Sequence, residues 1–231
     1  RVIPRLSMDL MEKYLRLRVE GVENIPREGP ALICPNHSGY SGLDALMLAN
    51  LISKQTGRVP RILAHHLWFI TRFSASTARK LGFVEATSAN GIKYLSKKQI
   101  VVLFPEGEYG NFKPTTQAYH LQEFKRGFVR MALQTQSPIV PCIVIGAEET
   151  HINLSRLQLP PFLGNLTLPL PLNLLPLPAK WKIKFLKPMT LPYGKETVED
   201  TPLVHSLSAG IQERMQKAIN QELSKRRTIF I

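Results

Sequence analysis

The sequence predicts one α/β domain, a mixed and mostly parallel sheet flanked by helices. Short apolar runs such as "ALICP" (31–35), "RILAHH" (61–66) and "QIVVLFPEGE" (99–108) alternate with stretches of helical spacing. That alternation is the pattern of strands joined by crossover helices. No internal repeat and no flexible linker divides the chain. At 231 residues and 44% hydrophobic, it is long enough to bury one large core. One domain over residues 1–231 is the reading.

Taken in order, "PRLSMDLMEKYLRL" (4–17) reads as a short helix and 18–30 as strand, turn and loop. The apolar strand 31–35 follows, then a glycine-bearing loop, then "DALMLANLIS" (44–53) with helical spacing. Residues 61–66 read as a strand, and 68–82 as a helix ending at Gly82, where a left-handed cap is easily made. The stretch 88–98 starts on a Ser cap, although Gly91 weakens a helix there. A buried strand at 99–108 runs into a loop, 126–136 is helical, and 138–149 begins as a strand. "KWKIKFLKP" (180–188) alternates with period two, as a half-buried strand does. Over 202–227, Leu203, Leu207, Ile211, Met215, Ile219 and Leu223 recur at four-residue steps, an amphipathic helix with a basic tail.

Charge narrows the partners. Thirty Lys+Arg against 17 Asp+Glu give a net +13, which favours nucleic acid, a phosphate-bearing substrate or an acidic membrane surface. The basic residues are not interleaved with aromatics and no nucleic-acid motif is present, so nucleic acid is not the expected partner. Cys34 and Cys142 sit in apolar runs without metal-ligand spacing, as small core residues suited to a reducing compartment. No run of about 18 apolar residues would span a bilayer as a helix.

The candidate chemistry begins with "CPNHSGYSGLDALML" (34–48). On one continuous helix, His37 and Asp44 would stand ~10.5 Å apart along the axis, too far for a hydrogen bond. Contact therefore requires "SGYSG" to fold back as a loop, with Gly39 and Gly42 supplying the backbone freedom. Paired so, Asp44 fixes the tautomer of His37, whose side-chain type has an unperturbed pKa of ~6.5 and suits a general base. The alternative is a helix-start acid beside an ordinary loop histidine. Glu106 and Gly107 in "LFPEGEYG" (103–110) end a buried strand, where α/β domains bind ligands. Lys125, Arg126 and Arg130 cluster at a helix start, either to hold phosphate or as a solvated face. His65 and His66, adjacent in a strand-like run, are expected on opposite faces. His120, His151 and His205 are isolated, and no metal-ligand constellation appears.

Together "NHSGYSGLD", "FPEG", "FKRGFVRMALQTQSPIVPCIVIG" and the lead-in "VEGVENIPREGPALICPNH" resemble the PlsC-like glycerolipid acyltransferases, the lysophosphatidic acid acyltransferase family, over about residues 17 to 190. The resemblance implies that His37 deprotonates an acceptor hydroxyl, oriented by Asp44, for attack on an acyl thioester of CoA or acyl carrier protein without a covalent acyl-enzyme. It makes Glu106 and Gly107 part of the acceptor site and "IVPC" (139–142) part of the acyl-donor region. It also implies a peripheral enzyme at the cytoplasmic face of an anionic membrane, with no cofactor beyond the acyl donor. The chain departs from the family pattern in three places. Six residues, not four, separate His37 from Asp44; Glu108 and Tyr109 follow "FPEG" where the family has Thr and Arg; and "GFVEATSANG" (82–91) lacks an arginine. The acceptor is thus 1-acylglycerol-3-phosphate, with Lys113, Lys125 or Arg126 holding phosphate, or a neutral diacylglycerol or alcohol. A non-catalytic protein binding anionic lipid or nucleic acid is the reading from another class.

Residues 157–179 carry no charge and six prolines, which forbid a regular helix and disfavour a central strand. The stretch is expected either as a long loop packed over the domain or at the lipid headgroup boundary. Arg156, Lys180, Lys182, Lys184 and Lys187 flank it, each able to add ~1 kcal/mol at an anionic surface.

Overall fold

The computed structural model describes residues 2–38, 41–160 and 167–230. Helix α1 (Val2–Tyr14) leads into strand β1 (Arg18–Glu20), β2 (Ala31–Pro35), α2 (Leu43–Thr56) and β3 (Arg61–Ala64). Then come α3 (Arg72–Lys80), β4 (Phe83–Glu85), α4 (Ser88–Ser96), β5 (Ile100–Val102) and the short α5 (Gly107–Asn111). The chain continues through α6 (Gly127–Thr135), β6 (Ile139–Ile145), the short α7 (Ala147–Thr150), β7 (Asn153–Gln158) and β8 (Thr167–Pro171). It closes with β9 (Lys182–Phe185) and α8 (Thr201–Ser224).

Seven strands form one sheet in the order β1-β9-β6-β2-β5-β3-β4. Every neighbouring pair is parallel except β6 with β9, where Cys142 pairs with Phe185 and Ile145 with Lys182. Alternate side chains of the buried strands serve two core layers. Ile33, Val102 and Val144 pack with Leu48 and Ile52 of α2 on one face. Leu32, Val101 and Ile143 pack with Phe128 of α6 and with Ile211, Met215 and Ile219 of α8 on the other. Each such buried side chain contributes about 1.5–3 kcal/mol. Because α2 leaves β2 on one face and α6 follows β5 on the other, the carboxyl ends of β2 and β5 stay open between them. Open α/β sheets bind ligands in that crevice.

The structure differs from the sequence reading at several points. Helix α4 is capped by Thr87, whose side chain accepts the Asn90 amide, rather than by Ser88. The helix expected over 68–82 is split: a 3-10 turn at His66–Phe69 precedes α3, which starts at a Thr71–Ser74 capping box. Since β3 ends at Ala64, His65 and His66 do not alternate across a strand, and their rings meet with centroids 4.2 Å apart. The proline-rich stretch is not a plain loop. Its described residues give β8, which pairs antiparallel with β7 as a separate two-stranded ribbon, while 161–166 lie outside the described residues. Pro169 and Pro171 are tolerated because β8 has a partner on one side only. Lys182 and Lys184 do not front the stretch toward solvent; they bind Glu222 and Glu20. Among the described residues, no helix is long and apolar enough to cross a membrane.

Candidate active site

Strand β2 delivers Asn36, His37 and Ser38 beyond its carboxyl end. Asn36 extends the sheet through its side chain: its Nδ2 donates to the Val144 carbonyl at 3.0 Å, and the Val144 amide donates to its Oδ1 at 2.7 Å. This fixes where His37 leaves the sheet. Gly42 opens α2 in the left-handed region (φ 71), a turn that a side chain would strain, and so brings Asp44 back in the first helical turn. Gly39, the other glycine invoked from sequence, lies outside the described residues.

His37 Nδ1 stands 2.7 Å from Asp44 Oδ2, which also accepts the Ser38 amide at 3.0 Å, while Oδ1 accepts the Ala45 amide at 2.7 Å. The Asp44 side chain is fully buried and that of His37 is 15% exposed. A carboxylate only accepts, so the neutral imidazole keeps its proton on Nδ1 and its lone pair on Nε2. The ring is held flat against Phe104, centroids 4.0 Å apart at 27°.

Glu106 holds the same loop from behind. Its Oε1 accepts the His37 amide at 2.9 Å and its Oε2 accepts the Gln122 amide at 2.7 Å. Expected as part of the acceptor site, it is wholly buried, with both oxygens committed to backbone amides. Lys113 lies 3.7 Å from Glu106 Oε2 and 3.0 Å from Glu148 Oε1, itself buried. That burial removes Lys113 as a phosphate ligand. Burial also pushes the Glu148 carboxyl up, opposed by Lys113. Gly110 makes the close packing feasible, since a Cβ there would sit 2.5 Å from Glu106 Cβ.

His37 opens onto a cavity of about 480 Å³. Leu63, Trp68, Phe83, Phe128 and Met131 give it apolar walls, and Gly107 and Lys125 lie at its polar side. Lys125 Nζ is 5.8 Å, and the Arg156 guanidinium carbon 5.3 Å, from the centre of the Tyr109 ring. Arg126, the next residue in sequence, diverges. It pairs with Glu123 at 2.6 Å and lines a different depression with Arg130 and His205. Strand β6, with 139–142, is buried between β2 and β9 and does not line the cavity. Sequence reasoning missed Asn36, Phe104 and the Lys113–Glu148 pair. Asn36 and Phe104 adjoin the motif residues His37 and Glu106, whereas nothing local marks Glu148. Among the described residues, no group of three or more His, Cys, Asp or Glu side chains is arranged to hold a metal ion.

A histidine oriented by a buried carboxylate at the mouth of an apolar cavity has the geometry to take a proton from a bound hydroxyl. The family model described as Acyltransferase matches residues 16–145, which include His37, Asp44 and Glu106. The chain belongs to that family and is an acyltransferase. Uncharacterized proteins of Mycobacterium bovis and Mycobacterium tuberculosis are each 36% identical to it over 242 residues, covering 99% of this chain and 68% of theirs. An uncharacterized protein of Mycobacterium leprae is 33% identical over 232 residues, covering 95% of this chain and 63% of its own. The crystal structure of the 1-acyl-sn-glycerophosphate (LPA) acyltransferase PlsC from Thermotoga maritima superposes with a TM-score of 0.60 at 18% identity, over 96% of this chain and 81% of that one. The fold is therefore that of the PlsC-like glycerolipid acyltransferases.

Proposed function

We propose that this acyltransferase moves a fatty acyl group from acyl-CoA or acyl carrier protein to a hydroxyl of a lysophospholipid, 1-acylglycerol-3-phosphate being the favoured acceptor, in phospholipid biosynthesis at the cytoplasmic face of a membrane. The observation that carries it is the His37–Asp44 pair at 2.7 Å opening onto an apolar cavity. His37 Nε2 takes the acceptor's hydroxyl proton as the oxygen attacks the thioester carbonyl carbon. The carbon–sulfur bond breaks, and the thiolate leaves with the proton returned by His37. An ester and a free thiol result. Asp44 keeps the ring in the reactive tautomer throughout, and Glu106 positions the His37 backbone. The apolar walls suit an acyl chain. The two buried free thiols, Cys34 and Cys142, suit the reducing side of the membrane.

Lys125 is the lysine on the cavity wall and the first choice for an acceptor phosphate; Arg126 ranks behind it, since it lines a separate depression. A neutral acceptor, diacylglycerol or an alcohol, is the second reading. It is favoured by the burial of Lys113 in ion pairs and by a cavity wall without arginine among the described residues. The test is thiol release from acyl-CoA against a panel of lysophosphatidate, other lysophospholipids, diacylglycerol and fatty alcohol. Lysophosphatidate-dependent release that loses affinity for the acceptor in Lys125→Ala supports the first reading. Release only with neutral acceptors, insensitive to Lys125→Ala, replaces it with the second.

A further inference from the structure

Two elements beside the cavity wear their apolar side chains outward. Helix α3 buries only Ala75 and Ala78 and turns Phe73, 84% exposed, to the outside, with Ile70 just before it 66% exposed. A helix stabilised by its own core does the reverse. The ribbon β7–β8 and the segment after it carry exposed apolar side chains: every β7 residue after Asn153 is exposed, Leu154 and Leu157 among them, as are Leu170 of β8 and Leu172, Leu174 and Leu175 beyond it. A lone two-stranded ribbon is marginal in water, and contiguous exposed leucines mark a contact surface.

Both elements meet at the site. Trp68, just before α3, and Thr167, the first residue of β8, line the same cavity as His37, and Arg156 of β7 lies over Tyr109 beside Lys125. Charge selects the occupant. The chain has no Asp or Glu between Asp44 and Glu85, nor between Glu149 and Glu196. Arg72, Arg79, Lys80 and Arg156, all exposed, therefore act without local neutralising acids of their own segments. A second copy meeting this face through the same face would set cation against cation. An anionic lipid surface satisfies leucines and cations together.

We propose that α3 with the turn before it, and the ribbon β7–β8, form one docking face that seats the cavity mouth on an anionic phospholipid bilayer. Its purpose rests on the acyl-transfer reading, but the contact is measured without it. The experiment is cosedimentation of the full chain with vesicles of phosphatidylglycerol and phosphatidylcholine, and with pure phosphatidylcholine. Variant one is Ile70→Ser with Phe73→Ser; variant two is Leu154→Ser, Leu157→Ser, Leu172→Ser and Leu174→Ser. Each is expected to weaken binding to anionic vesicles by about tenfold or more, to leave the melting temperature in place, and to spare turnover of a short-chain, water-soluble acceptor. As a readout that keeps the wild-type surface largely intact, Leu174→Trp should show a blue-shifted emission, quenched by brominated lipid. Unchanged vesicle binding by both variants, or no quenching, overturns the proposal. A wild-type dimer in light scattering that the variants dissolve, with vesicle binding unaltered, assigns the face to a second copy instead and also overturns it. Intact vesicle binding by a wild type that releases no thiol with any acceptor would sink the acyl-transfer reading while leaving the docking face standing.

Discussion

The loop that carries His37 and the ribbon β7–β8 lie on the same cavity and are built on opposite terms. At His37 the carboxylates are committed: Asp44 and Glu106 are wholly buried and between them accept the amides of His37, Ser38, Ala45 and Gln122. In the ribbon, backbone pairing supplies the order while Leu154, Leu157 and Leu170 stay open to solvent. A buried charge is tolerated only when it is hydrogen-bonded, so the first region has one geometry. Exposed leucines have no such constraint, so the second is expected to tolerate change in the isolated protein. The contrast matches the two proposed roles, chemistry for the first and placement for the second.

The sharpest way to break that division is at His37. His37→Ala should lower acyl transfer by ~10²–10⁴-fold with an unchanged melting temperature. Asp44→Asn should cost the same or less, and the double variant should be little worse than the worse single one, because the pair works as a unit. Near-wild-type turnover by folded His37→Ala would remove the general base from the mechanism.

Glu106 tests whether the shelf behind His37 is also structural. Glu106→Ala leaves two part-buried amides without their acceptor and Lys113 with Glu148 as its one carboxylate. Breaking a buried charge pair costs about 3–5 kcal/mol, to be read from urea unfolding. A loss of activity without loss of stability would mean that Glu106 meets substrate instead.

Glu222 separates a buried carboxylate that serves stability from those that serve the site. Burial pushes its pKa up, but hydrogen bonds from Lys182, Lys184 and Lys225 outweigh this and hold it at about 2, below the ordinary 4.5. The folded state thus binds fewer protons than the unfolded one. Its contribution to stability is complete above 4.5 and is lost as pH falls from there toward about 2. Glu222→Gln should flatten the fall of melting temperature over that window and leave neutral-pH turnover alone. A steep fall identical to wild type would show that other carboxylates carry the acid transition.

The smallest effect is expected in the ribbon. Leu157→Ser should change stability by less than about 0.5 kcal/mol, as exposed positions do. A loss of several kcal/mol in urea unfolding would mean that the ribbon packs on the domain after all.

Much of the fold is legible in local pattern. The apolar run at 31–35 and the strand that opens 138–149 read directly as β2 and β6, and the four-residue steps of Leu203 to Leu223 as α8, because burial on one or both faces imposes a period that any window displays. The motif "NHSGYSGLD" likewise singled out His37 and Asp44, and its glycines permitted the turn that their contact needs. What the sequence could not settle was whether that turn closes, since the decision rests on Asn36 locking to Val144, 108 residues away, and on Glu106 gripping His37 from 69 residues away. The same limit hid the fates of the lysines. Lys113, Lys125, Lys182 and Lys184 look alike in sequence, yet one is buried against two carboxylates, one lines the cavity and two bind Glu222. Periodicity and turn chemistry are local and belong to the sequence alone. Which carboxylate reaches which cation is decided only when the sheet order brings distant strand ends together.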